Sequence, residues 1–441
     1  MDNALNTRDT RTQQSASRGS RHRWKVLGVG FSANASFAAA FSGIPTTAVF
    51  IRSGYHVGNS GLGLVLGMLG LGIALSELPW GLLTDRWGDR KVLLLGLSAT
   101  AAALAALALF VVPRQAYVPG LASLALGLLL VGLLGGSVNG SSGRAVMAWF
   151  KEGERGLAMS IRQTAVPAGG GIGALMLPAL ALHFGFSAVY GVLAVLCAVT
   201  AAFAWRWLVE PPDEVSDEAP AANEVAMARG QARSSVAGRN PLADISAWRV
   251  AFGIGALCVP QLAVITFATV FLHDFGHAGV VTLSATMAAV QTGAAIARVW
   301  SGHWTDRRGN RRAYMRACSL TTAVLFAVLA LMVAIADADH LAMTAVLVAL
   351  IVLGGVSASA WHGVAFTELA TLAGTQRAGT ALAMGNTFAF ATLFVTPLMI
   401  PPLLALGAWP AVWVTTSVCA LIALPVFPRA VASAVTRSAR A

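Results

Sequence analysis

The chain has 441 residues, of which 56% are hydrophobic and only 11% charged, with a mean hydropathy of +0.70. A water-soluble protein carries about 25% charged residues, so this composition excludes a domain that lives in water. The formal net charge of +11 could suggest a nucleic-acid partner, but the positions of the charges argue against one. Apolar runs long enough to cross a bilayer recur along the chain. Lipid offers no partner for backbone N–H and C=O groups, so such runs must be helices. Twelve spans are expected, at about 26–50, 60–83, 91–112, 120–148, 157–181, 185–205, 248–271, 279–302, 313–336, 341–369, 377–404 and 407–428.

The segments between them complete the layout. Residues 1–25 form a polar, basic tail with no secretory cleavage pattern. Residues 206–246 are polar and rich in Pro and Ala, acidic first and basic after, and are expected to be a mobile linker. They separate a first unit, 26–205, from a second, 247–428, with six spans in each; 429–441 is a short tail. Basic residues collect on one side: Arg8, Arg11, Arg18, Arg21, Arg23, Lys25, Lys151, Arg155, Arg377, Arg429, Arg437 and Arg440, with two basic loops described below. The opposite loops hold Arg52 and Arg114. The positive-inside bias puts the first side, with both termini, in the cytoplasm, and the protein in the inner membrane. Cys197, Cys258, Cys318 and Cys419 stand singly inside apolar runs and read as small core residues, without metal-ligand or disulfide spacing.

Two matching signatures lie 221 residues apart. GLLTDRWGDRK runs from Gly81 to Lys91 and GHWTDRRGNRR from Gly302 to Arg312; both fit G-x-x-x-D-R-x-G-x-R-[KR]. Further echoes pair Arg155 with Arg377 and Ala188 with Ala411, at offsets of 222 and 223. The doubled loop resembles that between the second and third helices of the major facilitator superfamily, with its second-half copy intact. The resemblance covers the chain apart from tails and linker. It implies an all-α membrane protein of twelve helices in two pseudo-symmetric six-helix bundles, related by an axis along the membrane normal. It also implies that the loops act as a latch, holding the halves together on the cytoplasmic side while the cavity opens outward. The residues concerned are Gly81, Asp85, Arg86, Gly88, Arg90 and Lys91, then Gly302, Asp306, Arg307, Gly309, Arg311 and Arg312. Gly81 and Gly302 would admit a neighbouring helix closely. Asp85 and Asp306 would cap a neighbouring helix N-terminus. The simpler reading is that these loops only anchor helix ends and set topology.

Span 5 carries QTAVPAGGGIGALMLP, which partly resembles the antiporter motif of drug-efflux members. Pro167, Gly170 and Gly171 match, but Val166 and Arg162 stand where that motif has glycine. These glycines are expected to make span 5 pliable and closely packed. RAVMAWFKEGERGLAMS, from Arg144, is more similar to anion-transporting members, through Trp149, Phe150, Glu154, Arg155, Gly156 and Ala158.

Charges inside the membrane need a reason, because arginine at the bilayer centre costs about 2.5–3.5 kcal/mol on insertion scales. Arg298 shares a helix stripe with Gln291, Ala294 and Ala295, which looks like a cavity wall. Its place four residues before the signature glycine is similar to that of the substrate-binding arginine of monocarboxylate transporters. A guanidinium suits that task because it meets a carboxylate through two parallel hydrogen bonds; the alternative is a salt bridge near the cytoplasmic gate. Glu77 stands at the equivalent position of the first half and reads either as a proton site, a partner of Arg298, or a prop of the latch. In span 10, Trp361 and His362 are candidate cavity residues, His362 as a proton carrier, and Glu368 is expected to pair with Arg377 or a latch arginine. Asn34 and Gln261 are candidate uncharged contacts or interhelical hydrogen bonds. No P-loop, H-E-x-x-H or G-x-S-x-G pattern occurs, so neither ATP-driven transport nor an enzyme is expected. The expectation is a secondary transporter of a small organic solute, an anion such as a carboxylate, with a co-transported proton as a further partner. It is expected to be monomeric, with no cofactor and no metal. Proton-coupled drug efflux and, more remotely, a transporter-like sensor are the alternatives.

Overall fold

The computed structural model describes residues 2–114, 117–150, 155–209, 241–335, 341–373 and 378–427. The side chains of residues 2–21, 85, 155–157, 160, 242, 306, 341, 378 and 379 lie outside that description. So do most of the expected linker, the C-terminal tail, Lys151, Glu154 and Arg377.

Fourteen α-helices follow one another among the described residues: α1 Asp2–Phe41, α2 Ala48–Gly54, α3 Asn59–Trp87, α4 Asp89–Phe110, α5 Leu121–Gly135, α6 Ser137–Trp149, α7 Arg155–Gln163, α8 Ala165–Trp207, α9 Ile245–Asp274, α10 Val280–Arg308, α11 Arg311–Ile335, α12 Leu341–Ala360, α13 His362–Ala373 and α14 Ala378–Val426. Helix α1 begins well before the apolar run expected at 26, because no proline interrupts the basic tail. Ten stretches among the described residues are long and apolar enough to cross a membrane. Two of these, Ile161–Trp207 and Thr380–Val426, are 47 residues long. Each breaks inside. Gly185 has φ 73°, and Ala408, which the repeat aligns with it, has φ 52° after Gly407. Glycine adopts this region freely, whereas alanine is strained there. Both breaks fall at the expected boundaries between spans 5 and 6 and between 11 and 12.

The membrane setting explains how polar groups are absorbed. Hydroxyls of Thr84, Thr100, Ser141, Thr266 and Thr305 bond back to the carbonyl four residues earlier, which satisfies their donors within the helix. Large apolar side chains such as Leu75, Leu82, Phe110, Leu175 and Leu331 point outward. An aqueous protein would not expose so many, and lipid tails are their natural solvent.

With the halves taken as the sequence before and after 206–246, packing within each half dominates. In the first, α1 and α4 pack on α8, and α3 packs on α5; in the second, α9 and α11 pack on α14, and α10 on α12. Two seams join the halves: α3 against α14, and α8 against α10. Both are built on glycine. A Cβ on Gly63 would strike the Pro397 carbonyl, one on Gly67 would lie 2.9 Å from the Phe394 oxygen, and one on Gly70 2.7 Å from the Leu393 carbonyl carbon. In the other seam a Cβ on Gly170 would lie 2.5 Å from Gln291 Nε2 and 2.7 Å from Ser42 Oγ. Gly70 and Gln291 differ by 221, and Gly171 and Leu393 by 222, so the seams are related by the repeat with glycine exchanged between partners.

Candidate functional site

Helix α3 carries Glu77 and helix α10 carries Arg298, each seven residues before a buried threonine, Thr84 or Thr305, near the signature loops. At 1.5 Å per residue both lie about 10 Å inside that end of the bundle. Both are buried, at 8% and 7% exposure. The repeat thus places a carboxylate and a guanidinium at matching depth in opposite halves.

They do not pair with each other. Glu77 Oε1 accepts a 2.7 Å hydrogen bond from Asn139 Nδ2 on α6. The Asn139 carbonyl accepts a weak one, 3.4 Å, from Arg162 Nη1, and Arg162 also donates to Ser142 Oγ at 3.1 Å. Asn34 Nδ2 donates to the same Ser142 oxygen at 2.7 Å and to the Gly30 carbonyl at 2.9 Å. One network, Asn34–Ser142–Arg162–Asn139–Glu77, therefore ties four spans of the first half. Asn34 acts in it as an interhelical hydrogen bond, buried at 3% exposure.

Arg298 is held differently. The helix of span 10 breaks at Trp361, between α12 and α13, which frees the last carbonyls of α12. Three consecutive ones are capped by side chains: Ala358 by Trp361 Nε1 at 2.5 Å, Ser359 by Arg298 Nε at 3.2 Å, and Ala360 by Ser301 Oγ at 2.9 Å. A guanidinium at this helix C-terminus also meets the negative end of its dipole. Arg298 lies within electrostatic reach of Cys258 and His362, and among the described residues no carboxylate touches it. The His362 ring lies against Trp361, with centroids 4.2 Å apart, and its Nδ1 is buried without a partner, as is Gln261 Oε1. Trp361 itself is fully buried and bonded within its own helix, so it packs the break.

The stripe from Gln291 to Arg298 divides. Gln291 Nε2 donates to Ser42 Oγ at 2.7 Å, across the seam to span 1, while Arg298 turns to span 10 of its own half. Gln291 is thus a seam contact. Span 5 packs closely as expected: Gly169 rests on the Ala35 backbone, Gly170 on Gln291, Gly173 on Gly43, and Pro167 is buried.

At the signature end one expectation is corrected. No neighbour approaches Gly81 or Gly302; a Cβ on either would meet nothing within 4 Å. Among the described residues, the close approach those glycines permit is not made. The side chains of Asp85 and Asp306 lie outside the described residues. Gly88, with φ 82°, links α3 to α4, and Gly309, with φ 62°, caps α10; both need the left-handed region. Arg90 Nη2 donates to the Trp205 carbonyl at 2.9 Å, and Arg312 Nε to Glu368 Oε1 at 2.6 Å. Arg311 makes a weak 3.4 Å bond to Thr371, and Arg86, Lys91 and Arg307 are exposed. Arg144 lies 3.5 Å from Asp89 and donates to the Thr84 carbonyl at 2.6 Å. The ion pairs Asp89–Arg144 and Glu368–Arg312 at this end each lie within one half.

The opposite end holds a group that the sequence suggested only as a stray charge. Arg52, at the end of α2, forks onto Asp274, at the end of α9, at 2.5 and 2.6 Å, and also donates to Asn59 at 2.9 Å. His273 Nδ1 lies 2.9 Å from the same carboxylate. This pair crosses between halves. The turns beside it repeat: His56 and His277, 221 apart, have φ 53° and 48°. Arg162, Asn139, Ser142, Ser42 and Asp274 were not singled out as site residues from the sequence. For Arg162 the signal was present, a charge five residues inside an expected span.

Comparison with known proteins agrees with this architecture. The family model for the Major Facilitator Superfamily matches residues 30–397. An uncharacterized MFS-type transporter of Mycobacterium tuberculosis is 30% identical over 410 residues, covering 92% of this chain and 85% of the relative. A hexuronate transporter of Bacillus subtilis is 22% identical over 180 residues, covering 41% of each chain. An uncharacterized transporter of the same organism is 26% identical over 168 residues, covering 38% of this chain and 37% of its own. A doubled signature loop, glycine-built seams between two helical halves and a match over most of the length lead to one conclusion: this multi-pass membrane protein belongs to the Major Facilitator Superfamily and is a transporter rather than an enzyme.

Proposed function

We propose that the protein is a secondary transporter that moves a small organic anion, a carboxylate, across the inner membrane by alternating access. In this reading the two 47-residue helices each cross twice, so twelve spans form two six-helix halves with both termini in the cytoplasm. The conformation is read as the inward-open one: Arg52–Asp274 joins the halves at one end, and at the other no neighbour lies against Gly81 or Gly302 among the described residues. Arg298 anchors the substrate, and Glu77 is the carboxylate that takes the coupling proton. The observation that carries the reading is a guanidinium buried at 7% exposure with no carboxylate against it among the described residues. Such a charge is costly unless a counter-charge arrives. The name of the hexuronate transporter, a distant relative, fits a sugar carboxylate as one member of the substrate class.

A thermal-stabilisation screen of the purified protein tests this. Carboxylates such as glucuronate, lactate and succinate should raise the melting temperature, and lipophilic cations such as tetraphenylphosphonium should not. The reverse pattern would replace the anion reading by cation efflux with Glu77 as its proton site.

A further inference from the structure

We propose that Arg162 is a second anion anchor, so that one carboxylate-bearing substrate is held between Arg162 of the first half and Arg298 of the second. This rests on the anion reading above and extends it to a residue on span 5. Arg162 lies seven residues after Arg155, where α7 begins at the signature-loop end of the bundle. By helix rise it therefore sits about 10 Å inside that end, at the level of Glu77 and Arg298. Helix α7 packs directly against α10, which carries Arg298, so the two guanidinium groups belong to elements that touch across the seam.

The partners of Arg162 leave it undercompensated. It is buried at 8% exposure, and its hydrogen bonds go to neutral oxygens, Ser142 Oγ and the Asn139 carbonyl. Its Nε is buried with no partner at all. Glu77 lies within electrostatic reach of Arg162, but Asn139 occupies its Oε1 and no hydrogen bond joins the two. Arg298 likewise spends its Nε on a carbonyl. Among the described residues this network and Arg298 thus bring together two guanidinium groups and one carboxylate, and neither guanidinium is hydrogen-bonded to a carboxylate. A guanidinium is built to receive a carboxylate on two parallel N–H donors. A substrate carboxylate would supply the missing charge. Because its two anchors lie in different halves, its binding would draw the halves together at that end.

The test is equilibrium binding of glucuronate, succinate and sulfate to the purified full-length protein, by calorimetry. The variants are Arg162→Gln, Arg162→Lys, Arg298→Gln and the Arg162→Gln/Arg298→Gln double variant. Each single Gln variant should weaken carboxylate binding about tenfold or more, as expected for loss of a charge-assisted pair. The double variant should lose clearly less than the product of the single losses, since one ligand bridges both sites. A structural prop would not produce that coupling. Arg162→Lys keeps the buried charge but lacks the fork, so it should hold the fold and still weaken binding. It serves as the test if Arg162→Gln does not fold. Near-normal carboxylate binding by the Arg162 variants, with loss in Arg298→Gln, would overturn the second anchor and leave the anion reading standing. Independent, multiplicative losses would overturn the shared ligand. No carboxylate binding by the unaltered protein, or binding of sulfate alone, would overturn both readings.

Discussion

The two ends of helix α3 behave differently although glycine lines both. At Gly63, Gly67 and Gly70 the opposite half presses against the backbone, closely enough that a methyl group would not fit. At Gly81, eleven residues on and about 16 Å along the axis, the space is open. Three ion pairs among the described residues can be set beside this. Arg52–Asp274 ties one half to the other beyond the tight end, while Asp89–Arg144 and Glu368–Arg312 stay within a half at the open end. Glycine therefore permits close contact between the halves without enforcing it.

The comparison can be broken first at the seam. Gly63→Val places branched carbons on the Pro397 carbonyl, and overpacking of this kind costs about 1–3 kcal/mol or more. It should lower the melting temperature and reduce transport at least about tenfold. Gly81→Val should leave the melting temperature of this conformation within error while slowing transport, because the opposite conformation would need that space. Equal destabilisation by both would erase the distinction between the two ends.

A smaller effect is expected at the cross-half ion pair. The Arg52 and Asp274 side chains are 22% and 29% exposed, so solvent limits the pair to about 1 kcal/mol or less. Arg52→Asp should shift the equilibrium toward opening at that end by severalfold. The exchange Arg52→Asp/Asp274→Arg should restore it, read as the distance between spin labels at Ser53 and Thr282. An unchanged distance distribution in Arg52→Asp would remove the pair from any gating role.

The smallest effect on the conformational balance belongs to Glu368→Gln. Its carboxylate is buried, so the change should cost about 1.5–3 kcal/mol in stability, but its partner Arg312 lies in the same half, so the label distances should be unaltered. A conformational shift as large as that of Arg52→Asp would show that pairs within one half also set the balance.

Much of this was legible in the chain itself. Apolar runs of bilayer length dictate helices because lipid leaves the backbone no other partner. The duplicated signatures, with their echoes at offsets of 222 and 223, reveal an internal repeat in the sequence. The matching positions of Glu77 and Arg298 follow from the repeat alone. Sequence determined these features because they depend on period, length and composition. The structure alone decided which partners the charges take. Helix phase placed Gln291 and Arg298 on one stripe, but the break at Trp361 drew Arg298 to the Ser359 carbonyl while the seam claimed Gln291 for Ser42. Asn139 and Arg162 became neighbours of Glu77 only when spans 2, 4 and 5 were brought together. Whether Gly81 touches anything was equally beyond the sequence, since a glycine permits close approach without enforcing it. Pairing across helices depends on which faces meet and how far the halves have swung, and neither is written in the local pattern of a single span.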